Sequence, residues 1–146
     1  DGAAKYSSHD VHSPLLNPEE ACGQCHTDTD YVVGRVADIQ KQVAETKITA
    51  EDAIIDAMNA IKAAVAAGNA DPALLDEAKK LHREAQYMWD FLSAENSTGF
   101  HNPEYALKIC ADATNLARQA QMLAAQSVND SSLLTTGTYY AEPAIP

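Results

Sequence analysis

Three side chains able to hold a cofactor stand close together in the segment Cys22-Gly23-Gln24-Cys25-His26. The spacing C-x-x-C-H is typical of covalent c-type haem attachment, in which two cysteine sulfurs form thioethers with the porphyrin and the histidine coordinates the iron. Because the attachment carbons and the iron lie in one rigid plane, the three side chains must lie within one helical turn. The segment therefore predicts one covalent haem c, held by Cys22 and Cys25, with His26 as the proximal iron ligand.

Two other chemistries use paired cysteines at this spacing. A thioredoxin-type redox pair is expected between a strand and a helix, and no such context is found around Cys22. A structural zinc site needs two further ligands nearby. The third cysteine of the chain, Cys110, is interpreted as a small buried residue on a helix.

A haem bound through one histidine has a second axial position on its iron. Residues 1–20 contain Gly, Ser, Pro and Asn without helical or strand periodicity, which predicts a loop. His9 and His12 are the strong ligands of this loop, and it could fold back across the distal haem face. From the residues alone, either histidine could be the distal ligand or both could be surface residues.

Composition limits the possible functions. A chain of 146 residues with 46% hydrophobic residues is the size of one domain and is not of the disordered class. Its net charge of −11, made more negative by haem propionates, argues against nucleic acid or an anionic membrane surface as partner. A basic or mixed-charge redox donor protein is favoured instead.

The location of the protein is predicted indirectly. The chain opens with Asp1-Gly2, as a mature or excised polypeptide would, and has no apolar run long enough for membrane insertion. Because c-type haem is normally attached on the outer side of the bacterial inner membrane, we expect a periplasmic or otherwise exported protein.

Helical periodicity begins at Asp30 and continues to residue 67. The apolar residues on one face are Val32, Val36, Ile39, Val43, Ile54, Met58, Ile61 and Val65. The segment Thr49-Ala50-Glu51-Asp52 resembles a capping box, so the sequence leaves open whether one helix breaks there. Gly68 is expected to close this region as a C-cap.

Two further helices are predicted from their starting residues. Asp71-Pro72 and Asn102-Pro103 each place an N-cap side chain before a proline, and Gly99 should end the first of these helices. The predicted apolar stripes are Leu74, Ala78, Leu81, Ala85, Met88 and Leu92, then Ala106, Ile109, Ala113, Leu116, Ala120 and Leu123. The predicted fold is all-α, with a haem-binding loop and helix followed by long antiparallel helices.

The predicted organisation has a haem-attachment segment (1–29), a long-helix region (30–127) and a C-terminal tail (128–146). A helix over residues 72–98 would be about 40 Å long, whereas a compact domain of this size has a radius of gyration of about 15 Å. Apolar stripes on such helices predict a homodimer or larger assembly. The alternative is a three-helix antiparallel bundle in which the stripes cover one another.

One further segment, Tyr87-Met88-Trp89, could form a wall against a cofactor. Aromatic residues at helical spacing belong more often to a core, so the core interpretation is preferred.

Two other stretches resemble landmarks of a known family. They are His82 to Asp90, with the pattern His-x-x-Ala-Gln-x-x-Trp-Asp, and Glu95 to Pro103, which contains Gly-Phe-His-x-Pro. Together with the haem motif they resemble the C-terminal part of the pentahaem cytochrome c nitrite reductases, periplasmic enzymes that reduce nitrite to ammonia. The likeness runs from the His9 loop to about Gln126.

The resemblance implies two iron ligands. In the family a loop similar to Ser8 to Leu15 supplies the distal ligand of the last haem, and its histidine matches His9, whereas His12 stands where the family often has another polar residue. The histidine of Gly-Phe-His-x-Pro serves a neighbouring haem attached further upstream. His101 would therefore coordinate the iron of a second haem that is not attached to this chain.

A complete family member also has further haem motifs, an active-site haem with a lysine ligand, and a catalytic Arg, Tyr and His, none of which can be located in these 146 residues. No catalytic residue is therefore assigned, and the chain resembles an electron-relay and dimerisation segment without its reaction centre. The alternative is a stand-alone electron carrier, or a unit of a larger cytochrome assembly, without catalysis of its own.

Overall fold

The computed structural model describes residues 12–139, and the chain divides into two compact units, Asp1–Ala37 and Asp38–Pro146. The described elements are a 3-10 turn (Pro14–Leu16), α1 (Pro18–Ala21), α2 (Thr29–Ala67), α3 (Pro72–Ala94), α4 (Pro103–Val128) and a second 3-10 turn (Ser131–Leu134). Within residues 12–139 all regular structure is helical, which confirms the predicted all-α fold class. In the same range, no helix combines the length and hydropathy required to span a membrane.

Helix α2 answers the question about a break near Thr49. It is continuous over 39 residues, and Ala50 and Ala53 within the capping-box-like segment are only 1% and 0% exposed. A helix start there would need a non-helical N-cap residue. Packing of the alanine face keeps the segment helical instead.

In the second unit, α2, α3 and α4 bury their faces against one another. Val43, near the first turns of this part of α2, clusters with Leu92 at the end of α3 and Ile109 at the start of α4. At the other end, Ala64 clusters with Leu75 and Ala124. Helix α3 therefore runs antiparallel to both α2 and α4, and the second unit is the three-helix antiparallel bundle named as the alternative.

Small side chains make up most of this core. The buried alanines are Ala44, Ala50, Ala53, Ala57, Ala60 and Ala64 of α2, Ala78 and Ala85 of α3, and Ala106, Ala113, Ala117, Ala120, Ala124 and Ala125 of α4. Interaxial distance depends on the side chains at the contact, so an alanine interface lets helices pack closely.

The predicted apolar stripe of the later part of α2 is partly wrong. Met58 and Val65 are 38% and 55% exposed, while Ile54 and Ile61 lie at the edge of the core. Large apolar residues gain most from burial, which is why they were expected inside. The buried positions of this part of α2 are occupied by alanines and Asp56, and the larger apolar side chains lie at the border of the buried face.

Both predicted helix starts are confirmed. The Asp71 carboxylate accepts the backbone N–H groups of Ala73 (2.9 Å) and Leu74 (3.1 Å), and the Asn102 side chain accepts that of Tyr105 (3.2 Å). A proline follows each cap, where its missing N–H removes no helical hydrogen bond. These caps fix the ends of α3 and α4 that border the connecting loops.

The described part of the predicted tail is held against the bundle by a buried carboxylate. Asp56, whose side chain is 2% exposed, accepts a hydrogen bond from Arg118 (2.6 Å). Its other oxygen accepts the Gly137 N–H (3.0 Å) and the Tyr139 hydroxyl (2.8 Å). The Gln121 side-chain amide donates to the carbonyl groups of Leu133 (2.9 Å) and Thr135 (2.7 Å). These hydrogen bonds attach residues 133–139 to α2 and α4.

Candidate haem-attachment and iron-ligand sites

In the first unit, the C-x-x-C-H segment forms a tight turn directly after α1. The Cys22 N–H donates to the Pro18 carbonyl (2.7 Å) and ends that helix. The Cys22 carbonyl then accepts the N–H groups of Cys25 (3.1 Å) and His26 (3.0 Å). All three cofactor-holding side chains therefore project from one turn, as attachment to a rigid porphyrin requires.

Gly23 is needed at its position by a close approach. A Cβ atom there would lie 2.4 Å from the carbonyl oxygen of Glu19, a backbone atom of the preceding helix. Only glycine lets the turn fold this closely onto α1. Gly23, one of the two residues between the cysteines, is thus required for the turn that positions both of them.

Two hydrogen bonds within the first unit hold the residues that follow the turn, at the start of α2. The Thr29 hydroxyl donates to the Glu19 carboxylate, and the Asp28 carboxylate accepts the Tyr31 N–H (2.9 Å) at the start of α2. Hydrogen bonds therefore connect the turn to α1, which precedes it, and hold the first residues of α2, which follows it.

The donor set of this turn fits haem c. Cys22 and Cys25 are free thiols, the former half-buried and the latter exposed, and the His26 imidazole is exposed. Two unbridged thiols and one accessible imidazole are the groups that thioether formation and iron coordination use. Between residues 12 and 139, no group of three or more His, Cys, Asp or Glu side chains is placed to hold a metal ion.

The distal-ligand prediction falls mainly on residues that are not described. His9 lies outside the described residues. The His12 Nε2 atom lies 3.5 Å from the side-chain nitrogen of Asn17, and the His12 side chain is exposed. The preference for His9 over His12 stays a prediction.

The connection between α3 and α4 carries His101. Helix α3 ends at Ala94, five residues before Gly99, so the prediction that Gly99 ends this helix is wrong. Glu95 takes an extended backbone (φ −77°, ψ 119°), and its carboxylate accepts N–H groups of the following turn. These side-chain hydrogen bonds replace helical ones and stop the helix early.

Gly99 has a different role, set by its surroundings. Its φ is +80°, and the preceding Thr98 is also left-handed with φ +50°. A Cβ atom on Gly99 would lie 2.7 Å from Val43 Cγ2 and 3.1 Å from the Ala106 Cβ. Glycine is therefore required both by the backbone conformation and by the close approach to α2 and α4.

The Glu95 carboxylate organises this loop. Its Oε1 atom accepts the Ser97 N–H (2.8 Å), and its Oε2 atom accepts the Ser97 hydroxyl (2.9 Å) and the Gly99 N–H (2.8 Å). Partial burial would raise the pKa of Glu95, but the hydrogen bonds from Gly99, Ser97 and His101 outweigh it and lower that pKa. Gln40 of α2 donates to the Ser97 carbonyl (3.1 Å) and anchors the loop.

His101 extends from this loop into solvent. Its side chain is 75% exposed, its Nδ1 atom lies 3.5 Å from Glu95 Oε1, and its backbone N–H donates to the Ser97 hydroxyl (3.1 Å). The backbone is thus fixed while the imidazole remains accessible. The sequence motifs do not point to Glu95; its only sequence signal is an acidic residue shortly before a glycine-containing turn.

The segment Tyr87-Met88-Trp89 is divided between core and surface. Met88 packs against the core cluster that contains Val43, and Trp89 is half-buried with the Lys47 ammonium 5.0 Å from its ring centroid. Tyr87 is 71% exposed, so the core interpretation is wrong for this residue. Consecutive residues of a helix point in different directions and cannot share one face.

Cys110 is 1% exposed within the core cluster of the second unit, which confirms the interpretation of a small buried residue. Burial raises the pKa of its thiol, with a smaller opposing effect of the Lys47 charge. The thiol is therefore kept in the protonated, unreactive form.

An all-helical chain with a C-x-x-C-H turn has the fold and the attachment site of a c-type cytochrome. The family described as cytochrome c552 matches residues 1–144, and the chain belongs to that family. Membership implies covalently bound haem c. The family match confirms the resemblance that the sequence motifs indicated.

Among curated proteins, the chain is 38% identical over 136 residues to the cytochrome c nitrite reductase subunit NrfA of Nitratidesulfovibrio vulgaris. That match covers 87% of this chain and 26% of the relative. It is 31% identical over 123 residues to cytochrome c-552 of Bacteroides fragilis, covering 84% of this chain and 25% of the relative. The chain thus spans about a quarter of the length of these relatives.

The fold has a close counterpart among solved structures. It matches the catalytic subunit NrfA of cytochrome c nitrite reductase from Desulfovibrio desulfuricans ATCC 27774 with a TM-score of 0.77 and 33% identity. The match covers 84% of this chain and 28% of that subunit. The chain is therefore similar to one part of a nitrite reductase.

Proposed function

We propose that the chain is an electron-transfer segment of a multihaem cytochrome resembling the C-terminal part of ammonia-forming nitrite reductase. The observation that carries this proposal is the turn Cys22–His26, with two unbridged thiols and an exposed imidazole fixed between α1 and α2. When bound there, a haem supplies one-electron chemistry. In this proposal Cys22 and Cys25 hold the porphyrin and His26 binds the iron from one side.

His9 is proposed as the ligand on the other side of this iron. With both axial positions taken by histidines, no substrate can reach the metal, and electron relay is the task that remains. The sequence contains a single C-x-x-C-H motif, so any reduction of nitrite to ammonia would take place on other parts of the complete protein.

His101 is proposed to ligate the iron of a second haem, carried by upstream sequence or by another polypeptide. Its 75% exposed imidazole and its fixed backbone support this role, because a ligand offered to a haem outside the chain must extend away from the chain's own core.

We also propose that the protein is periplasmic and that it assembles as a homodimer or larger particle. Tyr87 and Phe91, 71% and 46% exposed and one helical turn apart on α3, support an assembly contact. The charge of −11 supports a basic or mixed-charge redox donor.

Replacement of His101 tests the proposed function. In the native haem-loaded protein, His101→Ala should convert one low-spin haem to a high-spin or exogenously ligated form, because its iron loses an axial ligand. Absorption and electron paramagnetic resonance spectra measure this change, and added imidazole should restore the low-spin signal in His101→Gly. Native mass measurement should give more than one haem for each copy of the chain. An unchanged spectrum with one haem per chain would instead indicate the stand-alone carrier.

Replacement of His9 tests the distal ligand separately. His9→Ala should leave the haem of this chain five-coordinate and high-spin, or able to bind an added ligand such as cyanide or imidazole. His12→Ala is the matched control and should keep the low-spin spectrum. If only His12→Ala changes the spectrum, the assignment of the loop histidine is wrong.

A further inference from the structure

The contact between Glu95 and His101 joins one ring nitrogen of a proposed iron ligand to a carboxylate. Glu95 Oε1 lies 3.5 Å from His101 Nδ1, near the limit of a hydrogen bond, so charge contributes alongside hydrogen bonding. Nδ1 and Nε2 lie at different corners of the ring. A carboxylate beside Nδ1 therefore favours the tautomer that carries its proton there, and it leaves the Nε2 lone pair for a metal.

The carboxylate is itself held in place by several donors. Ser97 donates through both its N–H and its hydroxyl, and Gly99 donates through its N–H, all at 2.8–2.9 Å. The loop is anchored to α2 by Gln40. Glu95 is 28% exposed and His101 is 75% exposed. The carboxylate is therefore largely shielded from solvent, whereas the imidazole is accessible.

We infer that Glu95 is a positioning residue that sets the tautomer and electron density of His101 as an iron ligand. This inference rests on the proposed function of His101 and names a residue that acts through it. Histidines that ligate metals commonly donate their second ring N–H to a carboxylate, which raises ligand basicity. A more basic axial ligand stabilises the oxidised iron, so Glu95 lowers the reduction potential of the haem that His101 binds.

The deciding experiment compares Glu95→Gln with Ser97→Ala in the native haem-loaded protein. Glu95→Gln removes the negative charge beside Nδ1. It also replaces one carboxylate oxygen with an amide nitrogen, which cannot accept the hydrogen bonds that Ser97 and Gly99 donate. Ser97→Ala removes a hydroxyl that bonds both Glu95 and the His101 backbone, but it keeps the carboxylate beside the ring. Spectroelectrochemical titration measures the potential of each haem, and electron paramagnetic resonance reports the axial ligand field.

We expect the potential of the His101-ligated haem to become more positive in Glu95→Gln, with altered resonance positions, and to stay near that of the unaltered protein in Ser97→Ala. Glu95→Asp should recover part of the shift because it restores the charge. Equal shifts in Glu95→Gln and Ser97→Ala, or no shift in Glu95→Gln, would overturn the role of Glu95. If His101→Ala leaves every haem spectrum unchanged, the ligand role of His101 fails as well, and the two failures are thereby distinguished.

Discussion

Replacing both Cys22 and Cys25 with alanine is expected to abolish covalent haem. The unaltered protein, matured with c-type haem attachment, should keep its colour in the polypeptide fraction after acid–acetone denaturation, while the double variant should release any haem it has bound. The physical reason is that only the thioethers survive when folding and iron coordination are lost. Haem staining and absorption of the denatured polypeptide measure the result.

The matched control is Cys110→Ala. Cys110 is 1% exposed in the core of the second unit, and burial raises the pKa of its thiol, so this variant should retain the full amount of covalent haem. Free extraction of the colour from the unaltered protein would contradict the assignment of the turn. Loss of covalent haem in Cys110→Ala would contradict the structural role given to that residue.

Asp56→Ala should destabilise the second unit strongly. The Asp56 side chain is 2% exposed and bonds Arg118, Gly137 and Tyr139. Breaking a buried ion pair from one side costs about 3 to 5 kcal/mol. Because Arg118 is 34% exposed and can turn toward water, we expect a loss of about 2 to 3 kcal/mol in the free energy of unfolding.

Chemical denaturation of the haem-loaded protein measures this loss, and hydrogen exchange at the Gly137 amide reports whether the C-terminal segment detaches. Asp52→Ala is the matched control, since the Asp52 carboxylate accepts the Tyr139 N–H (2.9 Å) in an exposed hydrogen bond, and its loss should cost about 1 kcal/mol or less. Similar losses in the two variants would show that burial of the Asp56 carboxylate is not the source of the effect.

Local chemistry made part of this molecule predictable. The N-caps at Asp71 and Asn102 depend on the cap side chain and the proline that follows it, and both helix starts are where the sequence placed them. The turn at Cys22–His26 was likewise predictable, because the C-x-x-C-H spacing requires three side chains on one turn, and the Cys22 carbonyl accepts the N–H groups of Cys25 and His26.

The features that the sequence did not predict depend on specific contacts within the folded chain. The buried face of α2 carries alanine rather than Met58 or Val65 because the neighbouring helices approach it closely, and periodicity gives no measure of that distance. The early end of α3 follows from three hydrogen bonds that Glu95 receives from residues of the next turn. An acidic residue shortly before a glycine-containing turn is only a weak sequence signal for such a role.

The alanine interface also determines which mutations the bundle can accept. In most cores the costly change is truncation, because removing a large side chain leaves a cavity. Here a position such as Ala57 or Ala117, each 0% exposed, has little volume to lose, and replacement by glycine costs about 1 kcal/mol through helix propensity. Enlargement instead forces the helices apart and costs about 1 to 3 kcal/mol at each site. Substitutions at these buried positions should therefore be restricted to small residues, even where the residues on the surrounding surface vary.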